Sequence, residues 1–141
     1  MDTQALVEAL SKEEHAYLID LTIHDVTREK HEVLTQLMLP ATEVRLLHEK
    51  LKHYRLVRSL DVLRFGGYVR WINLTNPEHI RLTNGGIVCD MKADKHGNGH
   101  VVVKNNRHQL FQVNMSNVLM FQKLTDQERI ILHAMTMLAE S

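Results

Sequence analysis

The apolar pattern of this 141-residue chain changes period at Gly66-Gly67. Before that pair, apolar residues recur three and four positions apart. After it, they alternate in short runs broken by glycine and asparagine. A period near 3.6 suits a helix with one buried stripe; a period of two suits a strand with one buried face. The switch predicts an α+β chain with its helices and strands segregated along the sequence. Residues 1–62 read as a helical hairpin region, 63–124 as five short strands, and 125–141 as a C-terminal helix packing on the junction.

The helical half carries its own punctuation. Ser11-Lys12-Glu13-Glu14 fits a capping box, and Tyr17, Leu18 and Leu21 lie on one face of the helix it would open. The β-branched and polar run Thr22–Thr27 predicts a break. Val26, Val33, Leu34, Leu37 and Met38 resume helical spacing, and Pro40 ends that helix by excluding its predecessor from the helical region. Thr42 is placed to cap the next helix. There Val44, Leu47, Leu51 and Tyr54 form a narrow apolar seam of coiled-coil type. Two helices alone bury such seams poorly, so the hairpin is expected to pack on the rest of the chain or on another copy, and these four residues are the candidate protein-binding surface.

The strand half reads as YVRWINL from Tyr68, IVCDMK from Ile87, VVVK from Val101, HQLFQVN from His108 and VLMFQKL from Val118. Val69 and Trp71 share one face, and Ile87, Cys89 and Met91 another. Asn105-Asn106 supplies a tight turn, since asparagine tolerates positive φ. Thr125-Asp126-Gln127-Glu128 is a second capping box. It opens the last helix, with Ile131, Met135 and Leu138 on its inner face.

The order of five short strands, with a long first loop, a medium second, a tight third turn and a brief bend before the last strand, resembles the Src-homology-3-like (Tudor-like) small β-barrel over residues 66–124. The segments GGYVRWINL and LTNGGIV are also similar to small barrels in proteins of large DNA viruses. The first resemblance implies a five-stranded SH3-like barrel that binds peptides, methylated side chains or nucleic acid on one rim. The second implies a virus-encoded or virion component. The chain departs from the proline-peptide pattern: its first loop, 75–86, holds Glu78 as its one acid beside His79 and Arg81. An aromatic cage for methyl-lysine would draw on only Phe65, Tyr68, Trp71, Phe111 and Phe121 in this region.

Charge separates by position although Lys+Arg and Asp+Glu both number 17. Residues 1–43 carry net −6 and residues 44–70 net +5. A uniformly basic coat protein is excluded, but a local basic stripe is not. Arg45, Lys52, Arg55 and either Lys50 or Arg58 recur along one side of the predicted second helix, and Arg64 and Arg70 extend the charge. They are the alternative, nucleic-acid-binding site, through phosphate contacts.

Catalytic constellations are sparse. Cys89 reads as a small buried hydrophobe. No serine sits in a G-x-S-x-G elbow, and the glycine pairs lack the spacing of phosphate loops. Ten histidines is a high count. His96, His100 and His108 can approach one another, with Asp94 or Asp90 beside them, but no metal or cofactor is expected. One cysteine excludes an internal disulfide and suits a reducing compartment. The acidic N-terminal run does not read as a secretory signal, and no apolar run is long enough for a membrane span. The sequence therefore predicts an intracellular, cytoplasmic or nuclear, non-catalytic protein. Its partners are protein subunits, its own copies or others, with nucleic acid as the alternative and no small-molecule substrate identified.

Overall fold

A computed structural model of the chain describes residues 2–141. Four α-helices and six strands follow the order α1 (Thr3–Leu10), α2 (Ile23–Thr35), α3 (Ala41–Lys50), β1 (Tyr54–Val57), β2 (Tyr68–Asn73), β3 (Gly86–Ala93), β4 (Gly99–Lys104), β5 (Leu110–Asn114), β6 (Val118–Lys123) and α4 (Asp126–Glu140), with three short 3-10 turns between. The α+β class stands.

The sheet departs from the expectation. It has six strands, not five, in the antiparallel order β1-β6-β2-β3-β4-β5. It is open, because its edge strands β1 and β5 do not pair. The extra strand is β1, drawn from residues read as helix. Helix α3 ends at Lys50, and Tyr54 lies in the sheet rather than on a helical seam. The run Tyr54-Arg55-Leu56-Val57 satisfies both periods over so short a length; pairing with β6, Leu56 opposite Phe121 and Val57 opposite Met120, decides for the strand.

Helix ends were partly legible. Thr22 caps α2 in a reciprocal box with Asp25, so the predicted break is a helix start. Thr125 and Glu128 close the second box as expected. Ser11 instead ends α1, its hydroxyl donating to the Glu8 carbonyl, and Pro40 rather than Thr42 occupies the cap of α3. On α4, Ile131 is buried but Leu138 is exposed.

Three cores organise the chain. One gathers Val57, Val69, Val88, Val101, Val103, Val113 and Met120, taking residues from all six strands, so the sheet must curl over it. A second packs Val33 and Leu34 of α2 and Leu47 of α3 on Leu56, Ile72 and Phe121. A third joins Ala9, Leu18, Val26, Ile131 and Leu132 where both chain ends meet α2. Strands β1, β6 and β2 are thus covered on both faces, while β3, β4 and β5 are covered on one. Gly85 and Gly86 sit where the two halves meet. Gly85 has φ +80°, and a Cβ there would collide with the Val69 carbonyl oxygen.

Candidate functional site

The predicted protein-binding seam faces inward. Leu47 and Leu51 are buried in the chain's own core, and Val44 and Tyr54 pack against its margin. The sheet supplies the partner that the two helices lacked, so Leu47 and Leu51 offer no face to another chain, while Val44 and Tyr54 stay half-buried.

The predicted basic stripe is dispersed for the same reason. In a strand, neighbours point to opposite faces. Arg55 therefore leaves the side shared by Tyr54 and Leu56, and its guanidinium lies 4.3 Å over the ring of Tyr17. Arg64 pairs with the buried Glu128 at 3.2 Å and donates to the Lys123 carbonyl. Arg70 donates from Nε to the Thr83 carbonyl at 2.8 Å. Arg45, Lys52 and Arg58 remain exposed. Glu128 also accepts from the Tyr17 hydroxyl and the Thr125 amide. Burial and the facing Glu128 carboxylate push the Tyr17 hydroxyl well above its ordinary value. A buried polar network thus ties the N-terminal turn, β1, the β1–β2 connection and α4 together.

Cys89 corrects another expectation. The β3–β4 register shifts between Val88 and Asp90, leaving Cys89 on a bulge. Val88, rather than Ile87 or Cys89, turns into the core, and the bulge shifts the phase beyond it so that Met91 packs on the same core while Ile87 and Cys89 are exposed. Among the histidines, His100 reaches Asp94 at 3.0 Å. His31 and His48 lie 3.0 Å apart across the α2–α3 hairpin, a contact that spacing along one helix could not show. Burial, then the neighbouring His31 and Lys30, hold the His48 imidazole below its usual range. Among the described residues, no three His, Cys, Asp or Glu side chains form a group able to hold a metal ion.

What the sheet leaves unpaired is its edges, and the two edges differ. Strand β1 has four residues, of which Arg55, Leu56 and Val57 are buried. Strand β5, Leu110-Phe111-Gln112-Val113-Asn114, contains no charge and no proline, and pairs with β4 in unbroken register. Leu110 and Phe111 are 64% and 44% exposed. Natural edge strands are commonly blunted by charge, proline, a bulge or a covering element, and β5 has none within its own span. Cross-strand register also lines up Tyr68, Ile87, Lys104 and Leu110 in one row on the uncovered face. All four are exposed, so the free edge continues into an apolar rim interrupted by one lysine.

Sequence reasoning placed β5 correctly but did not single it out, because its exposure depends on being last in the sheet. No protein-family model, curated protein or solved structure matches the chain. Among the described residues, no helix is long and apolar enough to cross a membrane.

Proposed function

We propose that the protein is a non-catalytic assembly subunit that associates with a second copy of itself through β5. The observation that supports this reading is the uncharged, unblunted edge strand with Leu110 and Phe111 exposed on it. Unpaired backbone groups on an edge are a template for another strand. An antiparallel pair about a two-fold axis at Gln112 would set Phe111 opposite Val113 of the other copy and Leu110 opposite Asn114. Such a contact is isologous and closes on itself. It would join two six-stranded sheets into one. The likeness to small barrels of large DNA viruses adds a virion as the setting for such a subunit.

Light scattering over protein concentration and salt tests the reading. A dimer that persists as salt rises, and that Phe111→Lys or Leu110→Lys converts to monomer, is the expected result. A wild-type monomer at about 1 mM, the weak end of specific association, overturns it. A mass shift only on adding duplex DNA at low salt would replace it with phosphate binding through Arg45, Lys52 and Arg58.

A further inference from the structure

Lys30 carries its charge into the interior of the molecule. It sits mid-way along α2, 3% exposed. Its ammonium donates to the Leu51 carbonyl at 2.8 Å and meets no carboxylate among the described residues. That carbonyl already accepts from the Tyr54 amide, so the fold does not need Lys30 to satisfy it. Burial pulls the Lys30 ammonium down to about 8. A buried ammonium without a counter-charge is costly, and an apolar side chain of the same length would fit at lower cost.

Lys30 lines a cavity of about 760 Å3 between α2, α4 and the turn that links α3 to β1. Ile23, Val26, Leu124 and Ile130 supply apolar wall, and Lys52 and Arg129 stand at it with no salt-bridge partner among the described residues. Lys30, Lys52, His53 and Arg129 line the same cavity. Besides partial desolvation, Arg129, Lys52, Lys30 and Lys123 all push the His53 imidazole below its usual value. Two acids also line the cavity. Asp2 is spent on capping α1, accepting from the Gln4 and Ala5 amides, and Asp126 lies in the first turn of α4, where the helix dipole favours its charge. The cavity falls in the size range of small-ligand sites, which pair apolar walls with a few convergent polar groups.

We propose that this cavity binds a small amphipathic anion: a carboxylate or phosphate head held by Lys30, Lys52 and Arg129, with an apolar body along α2 and α4. The bound head would supply the counter-charge that Lys30 lacks. The site is independent of the β5 edge, so self-association and ligand binding fail separately.

Thermal shift and isothermal titration of the full chain test it with three probes: decanoate below its micelle concentration, inorganic phosphate, and decyltrimethylammonium. Decanoate is expected to raise Tm and bind, with the cationic amphiphile giving no shift. Lys30→Met is expected to keep or raise Tm without ligand, yet weaken decanoate by about tenfold or more, the scale of one lost charge-assisted contact. Arg129→Gln, a change on an exposed side chain, is expected to weaken it in the same direction. No binding of decanoate, an equal response to the cationic amphiphile, or a Lys30→Met affinity within about twofold of wild type overturns the proposal. Inorganic phosphate acting as strongly as decanoate overturns the amphipathic assignment.

Discussion

The two halves of the sheet use similar residues to different ends. In β1, β6 and β2, neighbouring positions are both buried: Leu56 and Val57, Phe121 and Met120, Ile72 beside the half-buried Trp71. One of each pair meets the helices and the other the curled interior. In β3, β4 and β5 only alternate positions are buried, and the outer row is left to solvent. The first half is also locked by Arg55, Tyr17, Glu128 and Arg64. The second half ends in a bare strand. Stability and availability are therefore separated along one sheet, and only two register pairs join β2 to β3 at the boundary. Burying both faces fixes the first half in place, while a one-faced sheet keeps an edge free for a partner.

Four changes measure that contrast, from the largest expected effect to the smallest. Glu128→Ala would strip the buried network of its acid and leave Arg64 and Tyr17 without their partner. The expected loss is about 3–5 kcal/mol, read from urea unfolding midpoints; a loss below about 1 kcal/mol would show that the locked half is not held by this network. Gly85→Ala acts at the boundary between halves. The positive φ and the close Val69 carbonyl predict a loss of roughly 2 kcal/mol or more, and a neutral result would mean the β2–β3 joint yields more easily than its geometry implies. Phe111→Lys, on the bare edge, is expected to leave monomer stability within about 0.5 kcal/mol while removing self-association. Substantial destabilisation there would make Phe111 a core residue and blur the contrast.

The smallest effect concerns acid. The hydrogen bond to His100, aided by the Asn98 amide, holds the Asp94 carboxyl down to about 2. Its folded value is lowered, so its stabilisation is complete above the ordinary carboxylate range near ~4 and is lost as pH falls from there through about 2. Unfolding midpoints between those pH values should decline less in Asp94→Asn than in wild type. Parallel curves would assign no stability to the pair.

Much of the fold was legible in sequence because local physics decided it. The capping box at Thr125 closes within four residues, so its hydrogen bonds depend on nothing distant; the Thr22 box closes as locally, but its β-branched and polar run reads as a break rather than a start. The five strands after Gly67 were legible because turn residues bracket alternating runs. Strand β1 was not, since YRLV carries too few residues to distinguish a helical seam from a strand. That one misreading moved both candidate sites. It set Tyr54 at the margin of the core rather than on a partner-facing seam, and it sent Arg55 to the opposite side of its strand, over Tyr17. The bulge at Cys89 had a local effect of its own, bringing Met91 to the same side as Val88.

The cavity beside Lys30 gave no signal at all in the sequence. Lys30, Lys52 and Arg129 are separated by up to 99 positions, and no spacing rule links residues brought together by a docked terminal helix. What the sequence alone determined was the class, the start of the last helix at Thr125 and the strand runs after Gly67. Each of these depends on interactions within a few residues. What only the tertiary structure decided was that the sheet is open with six strands, that β5 is its bare edge, and that a lysine is buried without a counter-charge. Those depend on which surfaces are left once distant segments have packed, and packing is a property of the whole chain.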